Sequence, residues 1–141
     1  MTMPLDTSMA PTPVIVETPY AGAVSTHLRY LRACMRDCLM RGESPLAAHH
    51  LYSAPGVLRH EYQEELELAI QAKLAWRQFA ERTVFYSDLG WSDEMVRSRN
   101  LCTRDGWTYE VRFLKDGWLS EQLEREASAE ALEDWLKSFG G

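Results

Sequence analysis

Long apolar runs are missing from this 141-residue sequence, and so is any excess of basic residues. No stretch approaches the ~20 apolar residues that a membrane-spanning helix needs. The first residues also lack the basic and apolar blocks of a signal peptide, so we expect a cytoplasmic protein with no membrane partner. Lys and Arg number 15 against 21 Asp and Glu, and the resulting net charge of −6 argues against a nucleic-acid-binding surface.

Cysteine is scarce and forms no CxxC pair. The three cysteines, Cys34, Cys38 and Cys102, fit reduced cytosolic thiols better than a disulfide framework. Cys34 and Cys38 share a helix face, which would suit either a metal or two small core hydrophobes. Since no His or acid lies at a matching spacing, the sequence favours the core interpretation. We expect neither a metal nor a cofactor.

What the sequence does contain is a regular alternation of strand and helix patterns. Short β-branched or aromatic runs predict strands at residues 14–16, 83–86 and 107–114, and residues 45–48 have the pattern of a weak strand. Apolar residues at helical spacing predict helices at residues 27–40, 58–79, 92–103 and 120–139. This order predicts a single-domain α/β three-layer sandwich with a mainly parallel four-stranded sheet of order 2-1-3-4.

The predicted domain spans residues 13–116, with a flexible tail at residues 1–12 and a C-terminal helix at 117–141 that packs on the domain or on a partner subunit. The spacing of Trp107 and Trp135 is typical of core residues. Trp118 lies in a predicted exposed turn, which favours a place in a subunit contact.

The segment TVFYSDLGWSDEM, residues 83–95, is the strongest candidate for a functional site because a buried strand there runs into an acidic loop and a helix start. Ser92 is a good N-cap residue, and we expect Gly90, Trp91 and Ser92 to contribute to ligand binding. Asp88 and Glu94 are carboxylates on either side of this turn, and Gly90 breaks the strand. Trp91 offers a surface on which a base could stack. The alternative is structural, with Asp88 as a loop cap and Glu94 as a first-turn acid favoured by the helix dipole.

Two other predicted strand ends bring polar residues to the same edge of the sheet. Thr18, Tyr20 and Gly22 follow the first strand, and His49 and His50 follow the second. We expect these residues to contribute to ligand binding. The structural alternatives are a half-buried turn aromatic at Tyr20 and a solvent-facing pair of histidines.

These segments together resemble the nucleoside 2-deoxyribosyltransferase-like family and its small, often phage-encoded relatives. The resemblance rests on VIVETPYAG (residues 14–22), Arg41-Gly42, the histidine segment at 48–52 and the junction at 83–95, and it covers residues 14–114. It implies a Rossmann- or flavodoxin-like fold. Thr-Pro replaces the family's usual Gly-Pro in the first loop, which puts close approach of that backbone to a ligand in doubt.

The resemblance also implies a reaction. Members of that family use a Glu nucleophile that attacks the anomeric carbon of a deoxynucleoside. An ungapped match places Asp88 and Gly90 on the family's Asp-x-Gly and Glu94 on its nucleophile. A second alignment matches Met95 to the Met of the Gly-Met that often precedes the family's nucleophilic Glu. On that alignment Val96, Arg97 and Ser98 follow where the Glu is needed, so the nucleophile is absent.

We therefore expect a nucleoside- or nucleotide-binding protein that cleaves or transfers at the N-glycosidic bond through Glu94, assisted by Asp88. The resemblance further implies a homodimer or larger homo-oligomer. The alternative is a non-catalytic phage-type protein that sequesters a nucleotide-derived ligand or docks a host protein.

Overall fold

The computed structural model describes residues 10–19, 25–59 and 61–140. Within these residues the elements are, in chain order, β1 (Thr12–Glu17), α1 (Ser25–Met40), β2 (Glu43–Leu46), α2 (Ala48–Tyr52), α3 (Gln63–Arg77), β3 (Arg82–Tyr86), α4 (Asp93–Asp105), β4 (Tyr109–Arg112) and α5 (Trp118–Gly140).

The four strands form one fully parallel sheet in the order β2-β1-β3-β4. In the centre of the sheet, Ile15 of β1 pairs with Leu46 on one side and with Thr83 on the other. Helices flank the sheet, α1 packing against α5 and α2 against α3. The predicted three-layer fold and strand order are therefore confirmed. The handedness of strand–helix–strand crossovers leaves few ways to join parallel strands, and the observed order is one of them.

The core lies between the sheet and α1. Alternate residues of the central strands face this helix, because successive side chains of a strand point to opposite sides of the sheet. The fully buried cluster includes Val14, Val16, Leu31, Cys34, Cys38, Val84 and Tyr86. Burial raises the pKa of the Cys38 thiol to about 11 and also raises that of Cys34. These two cysteines are thus protonated core residues.

A buried ion pair connects the two edge strands. The guanidinium of Arg112, in β4, donates to both carboxylate oxygens of Glu43, in β2, at 2.6 and 2.7 Å. Both residues are almost fully buried. The hydrogen bond from Arg112 lowers the pKa of the Glu43 carboxyl. This two-point contact joins strands that share no ladder of hydrogen bonds.

Several predicted boundaries require correction. The second strand begins at Glu43 and ends at Leu46 instead of spanning 45–48, and residues 48–52 form the helix α2. Pro45 is tolerated because β2 is an edge strand, where a missing N–H costs no ladder bond. Helix α3 is shorter than predicted: Tyr62 has extended backbone angles and is half exposed, so the helix begins only at Gln63.

The predictions for Trp107 and Trp135 were wrong, and so was the exposed turn predicted for Trp118, whereas its place in a subunit contact stays a prediction. Trp107 is 39% exposed and Trp135 is 57% exposed, although both were predicted in the core. Trp118 is instead partly covered, because it begins α5 and packs edge-on against Tyr30 at a centroid distance of 5.2 Å. Of the predicted tail, residues 1–9 lie outside the described residues, whereas Thr12 belongs to β1.

Candidate functional site

A polar cleft of about 160 Å³ lies at the carboxyl ends of the central strands. The residues lining it are Glu17, Thr18, His49, Ser92, Asp93 and Glu94. The chain leaves β1 toward β2 on one side and leaves β3 toward β4 on the other, so the connections diverge at this point. Ligands of open parallel sheets bind in such a crevice, where the strand order reverses.

The end of β1 supplies one wall of the cleft. Glu17 is only 4% exposed, and its carboxylate forms an ion pair with Nζ of Lys73, from α3, at 2.8 Å. The next residue, Thr18, shares a hydrogen bond with Nε2 of His49 at 3.0 Å. This bond ties α2 to the end of β1 and holds the imidazole against the cleft.

The start of α4 supplies the opposite wall. Ser92 is its N-cap, and the hydroxyl oxygen accepts a hydrogen bond from the backbone N–H of Met95 at 3.2 Å. This cap places Glu94 in the first turn, where the helix dipole favours a negative charge. The predicted helix start at Ser92 is therefore found in the structure. Ser92 and Glu94 both line the cleft.

The carboxylate of Asp88 is held by other groups of the protein, whereas a catalytic carboxylate is expected to face the cleft. The Asp88 carboxylate accepts a hydrogen bond from the Tyr30 hydroxyl at 2.5 Å and from the backbone N–H of Leu114 at 3.0 Å. Burial, more than any neighbouring group, raises the pKa of Tyr30, which keeps this hydroxyl protonated as a donor. Asp88 thus joins the loop after β3 to α1 and to the segment after β4, and it does not line the cleft.

Gly90 and Trp91 also lie outside the set of residues that line the cleft. Gly90 has a φ of +93°, and its N–H donates to the carbonyl of Ser87, so it serves the turn itself. The indole of Trp91 stacks on Phe85 at 5.1 Å, and the guanidinium of Arg99 lies 5.0 Å from its ring. Trp91 therefore contacts Phe85 and Arg99 and does not line the cleft, and stacking of a base on it stays a prediction.

The remaining predicted site residues have different outcomes. His49 lines the cleft. His50 is the next residue of α2 and does not line the cleft. Tyr20 and Gly22 lie outside the described residues. Among the described residues, no group of three His, Cys, Asp or Glu side chains could hold a metal ion. In the same part of the chain, no helix is both long and apolar enough to cross a bilayer.

Sequence reasoning missed three residues, Glu17 and Asp93 of the cleft lining and Lys73, the partner of Glu17. Glu17 directly follows the apolar run VIV, so its place at a strand end could be predicted, but its burial could not, because glutamate is rarely buried without a partner. Asp93 lies between Ser92 and Glu94, two predicted site residues, so a signal existed for it as well. Lys73 lies in an otherwise acid-rich helix, and only the packing of α3 beside β1 reveals its partner.

One family model matches the chain, over residues 12–112, and its description is "Domain of unknown function (DUF7768)". The match begins at the first residue of β1 and ends at the last residue of β4, so it contains the whole sheet and excludes α5. No curated protein and no solved structure matches the chain. Because the model covers more than half of the sequence, the chain belongs to the DUF7768 family.

Proposed function

We propose that the cleft binds a nucleoside through its sugar, and that Glu94 attacks the anomeric carbon and cleaves the N-glycosidic bond. The observation that carries this proposal is the presence of Glu94 in one polar cleft with Glu17, Thr18 and His49, at the point where the strand order reverses. The resemblance of residues 14–114 to nucleoside 2-deoxyribosyltransferases supplies the reaction.

The volume of the cleft favours a sugar as the buried part of the ligand. Pockets that enclose a drug-sized ligand measure about 300–1,000 Å³, and this cleft is roughly half the lower limit at about 160 Å³. A pentose would occupy it, with the base extending outside. Hydroxyl groups of a sugar can donate to the carboxylate of Glu17 and exchange hydrogen bonds with Thr18 and His49.

The charge of the lining favours a nucleoside over a nucleotide inside the cleft. Three carboxylates, those of Glu17, Asp93 and Glu94, line it, and the described residues of its lining include no Lys or Arg. Lys73, outside the lining, pairs with the carboxylate of Glu17. A phosphate placed among these groups would be repelled. If the ligand carries a phosphate, that group lies outside the cleft.

In the proposed reaction a carboxylate oxygen of Glu94 forms a bond to the anomeric carbon while the bond from that carbon to the base nitrogen breaks. The electron pair leaves with the base, which takes a proton from solvent. Water or a second base then attacks the same carbon and releases the carboxylate. Splitting the displacement into two steps avoids a free oxocarbenium ion. The helix N-terminus beside Glu94 favours the anionic form that attacks.

A second function, binding without cleavage, is favoured by the surroundings of Asp88. Tyr30 and Leu114 occupy its carboxylate, so the second catalytic acid implied by the resemblance is engaged in holding the fold. A protein with this cleft but without Asp88 to assist the reaction would sequester a nucleoside-derived ligand. Docking of a host protein remains part of this alternative.

The deciding experiment follows base release from deoxynucleosides by chromatography and measures binding by calorimetry. We expect wild-type protein to release base, and Glu94→Gln to bind with similar affinity while its turnover falls by orders of magnitude. The matched control is Glu64→Gln, since Glu64 is an exposed acid in the first turn of α3 and its substitution removes the same charge.

The outcomes separate the two functions. Binding by wild-type protein with no base release supports sequestration. Cleavage that survives Glu94→Gln removes the nucleophile assignment. Failure of wild-type protein to bind any deoxynucleoside overturns both functions.

A further inference from the structure

The second half of α5 presents an exposed apolar stripe. Every residue from 127 to 139 is exposed. Within this segment, Leu132, Trp135, Leu136 and Phe139 follow the spacing of one helix face, and they are 54–73% exposed. Trp135 and Phe139 contact each other edge-on at 4.7 Å. Contiguous exposed apolar surface of this kind marks an interaction site.

A groove of about 420 Å³, here called the α1–α5 groove, lies on the helical face that carries α1 and α5. Met40, Phe113 and Trp118 contribute its apolar lining. Its volume is within the range of pockets that enclose a ligand of drug size. It is therefore large enough to accept bulky side chains such as the pair formed by Trp135 and Phe139.

The groove carries excess positive charge. Four bases and two acids line it, a difference of +2, and two of the bases are already paired, Arg41 with Asp37 and Lys115 with Glu121. Arg36 and Arg125 provide the remaining positive charge.

The helical segment 129–140 carries the opposite charge. It has three acids, Glu130, Glu133 and Asp134, and one base, Lys137, a difference of −2. The apolar stripe therefore matches the apolar lining of the groove, and the segment that carries the stripe has a net charge opposite to that of the groove.

The stripe cannot reach the groove of its own chain. Glu121 of α5 lines that groove, and Trp135 follows 14 residues later in the same continuous helix. At 1.5 Å per residue, these positions are about 21 Å apart along the helix axis. Only a second molecule can bring the stripe into the groove.

We propose that the protein forms a two-fold homodimer in which the second half of each α5 docks in the α1–α5 groove of the other copy. A two-fold axis satisfies both contacts at once and leaves no open surface for further growth. Aromatic side chains bury about 150–250 Å² each, so the four stripe residues offer roughly 400 Å² per helix. Counting both helices and the groove surfaces they cover, the interface reaches on the order of 1,600 Å², the size of a standard stable interface.

The experiment measures molar mass by light scattering coupled to size exclusion, and the dimer dissociation constant by sedimentation. We expect wild-type protein at tens of micromolar to have twice the 16.2 kDa of one chain. Trp135→Lys removes the central anchor and places a cation against a positive groove, so the dimer should weaken about 30-fold or more. Circular dichroism checks that α5 remains helical, which Lys favours.

Two further variants make the test specific. Glu130→Gln changes the charge by the same amount on the opposite face of the helix, so it tests net charge alone and should weaken the dimer far less than Trp135→Lys. Phe113→Lys damages the groove while leaving the stripe unchanged, and it should also give monomer. A mixture of the Trp135→Lys and Phe113→Lys chains should recover a heterodimer, because one helix and one groove are still intact.

Three results would overturn the proposal. Wild-type protein that is monomeric at tens of micromolar would show that a second copy is not the occupant. A dimer that resists Trp135→Lys would place the interface elsewhere. A Phe113→Lys dimer as tight as wild type, with Trp135→Lys monomeric, would show that stripe packs against stripe instead of groove.

Discussion

Replacement of Arg112 by Met should destabilise the fold strongly, because it leaves the carboxylate of Glu43 buried and short of its main partner. Met keeps much of the volume of the arginine stem. Glu43 is 5% exposed and loses two hydrogen bonds of 2.6 and 2.7 Å. Breaking a buried ion pair by removing one partner costs about 3–5 kcal/mol.

The expected loss lies at the lower end of this range. Arg82 also donates to Glu43, at 2.9 Å, so one cationic partner remains. A loss of about 3 kcal/mol is a large share of the ~5–15 kcal/mol that stabilises a typical domain. With an m-value of ~1.5–2 kcal/mol/M, the urea midpoint should fall by ~1.5–2 M.

Two further variants test the cause. The double variant Glu43→Met/Arg112→Met removes both charges and should recover most of the lost stability. Replacing a buried ion pair by apolar residues of similar volume is often neutral or stabilising. The matched control is Arg104→Met, since Arg104 makes the same two-point contact with Asp105 at 2.8 and 3.0 Å, but on the exposed surface. Its midpoint should barely change.

The pH dependence has a defined sign. The pKa of the Glu43 carboxyl is lowered in the folded protein, chiefly by the hydrogen bond from Arg112. Its contribution is therefore fully present above the unfolded pKa of about 4.3 and is lost as the pH falls through the folded pKa. The difference between wild type and Arg112→Met should shrink as the pH is lowered below about 4. An Arg112→Met midpoint equal to that of Arg104→Met would refute this reasoning.

Three other predictions concern the loops and the core. Asp88→Asn should lower the free energy of unfolding by about 1–3 kcal/mol in urea denaturation, because the hydrogen bonds from Tyr30 and Leu114 weaken, and it should leave ligand affinity unchanged. Unchanged stability with lost binding would show that Asp88 contacts the ligand. Ser92→Ala should cost about 1 kcal/mol by removing the α4 cap, and an unchanged midpoint would contradict that role. Cys38, whose pKa is raised to about 11, should resist a thiol reagent at pH 8 until the protein is unfolded, and rapid labelling of native protein would disprove its burial.

Much of the fold could be predicted because local composition and chain connectivity agree. The run Thr83 to Tyr86 is β-branched or aromatic, and it forms all but the first residue of β3. Ser92 before two acids marks the start of α4 in sequence as in structure. Right-handed crossovers account for the parallel direction of the strands, whereas the place of β1 between β2 and β3 depends on the side to which each connection turns.

The errors had two causes, a local signal that was missed and burial that a local pattern does not reveal. Residues 48–52 were predicted as a strand end and loop, yet Ala48 and Leu51 are good helix formers and the segment is helical. Trp135 has the periodicity of a core residue, but periodicity reveals only that a helix has an apolar face. Whether the same chain covers that face depends on where the helix ends relative to the domain.

The sequence alone determined the α/β class, the parallel sheet and the edge at which polar residues collect, since these depend on local propensity and on the chirality of connections. It also placed Glu94 at the start of a helix. Tertiary structure decided which polar residues meet. Packing of α1 and of the segment after β4 drew Asp88 toward Tyr30 and Leu114, whereas α3 brought Lys73 to Glu17. Such pairings join residues far apart in the chain, and side-chain contacts over that separation are set by how the helices pack on the sheet.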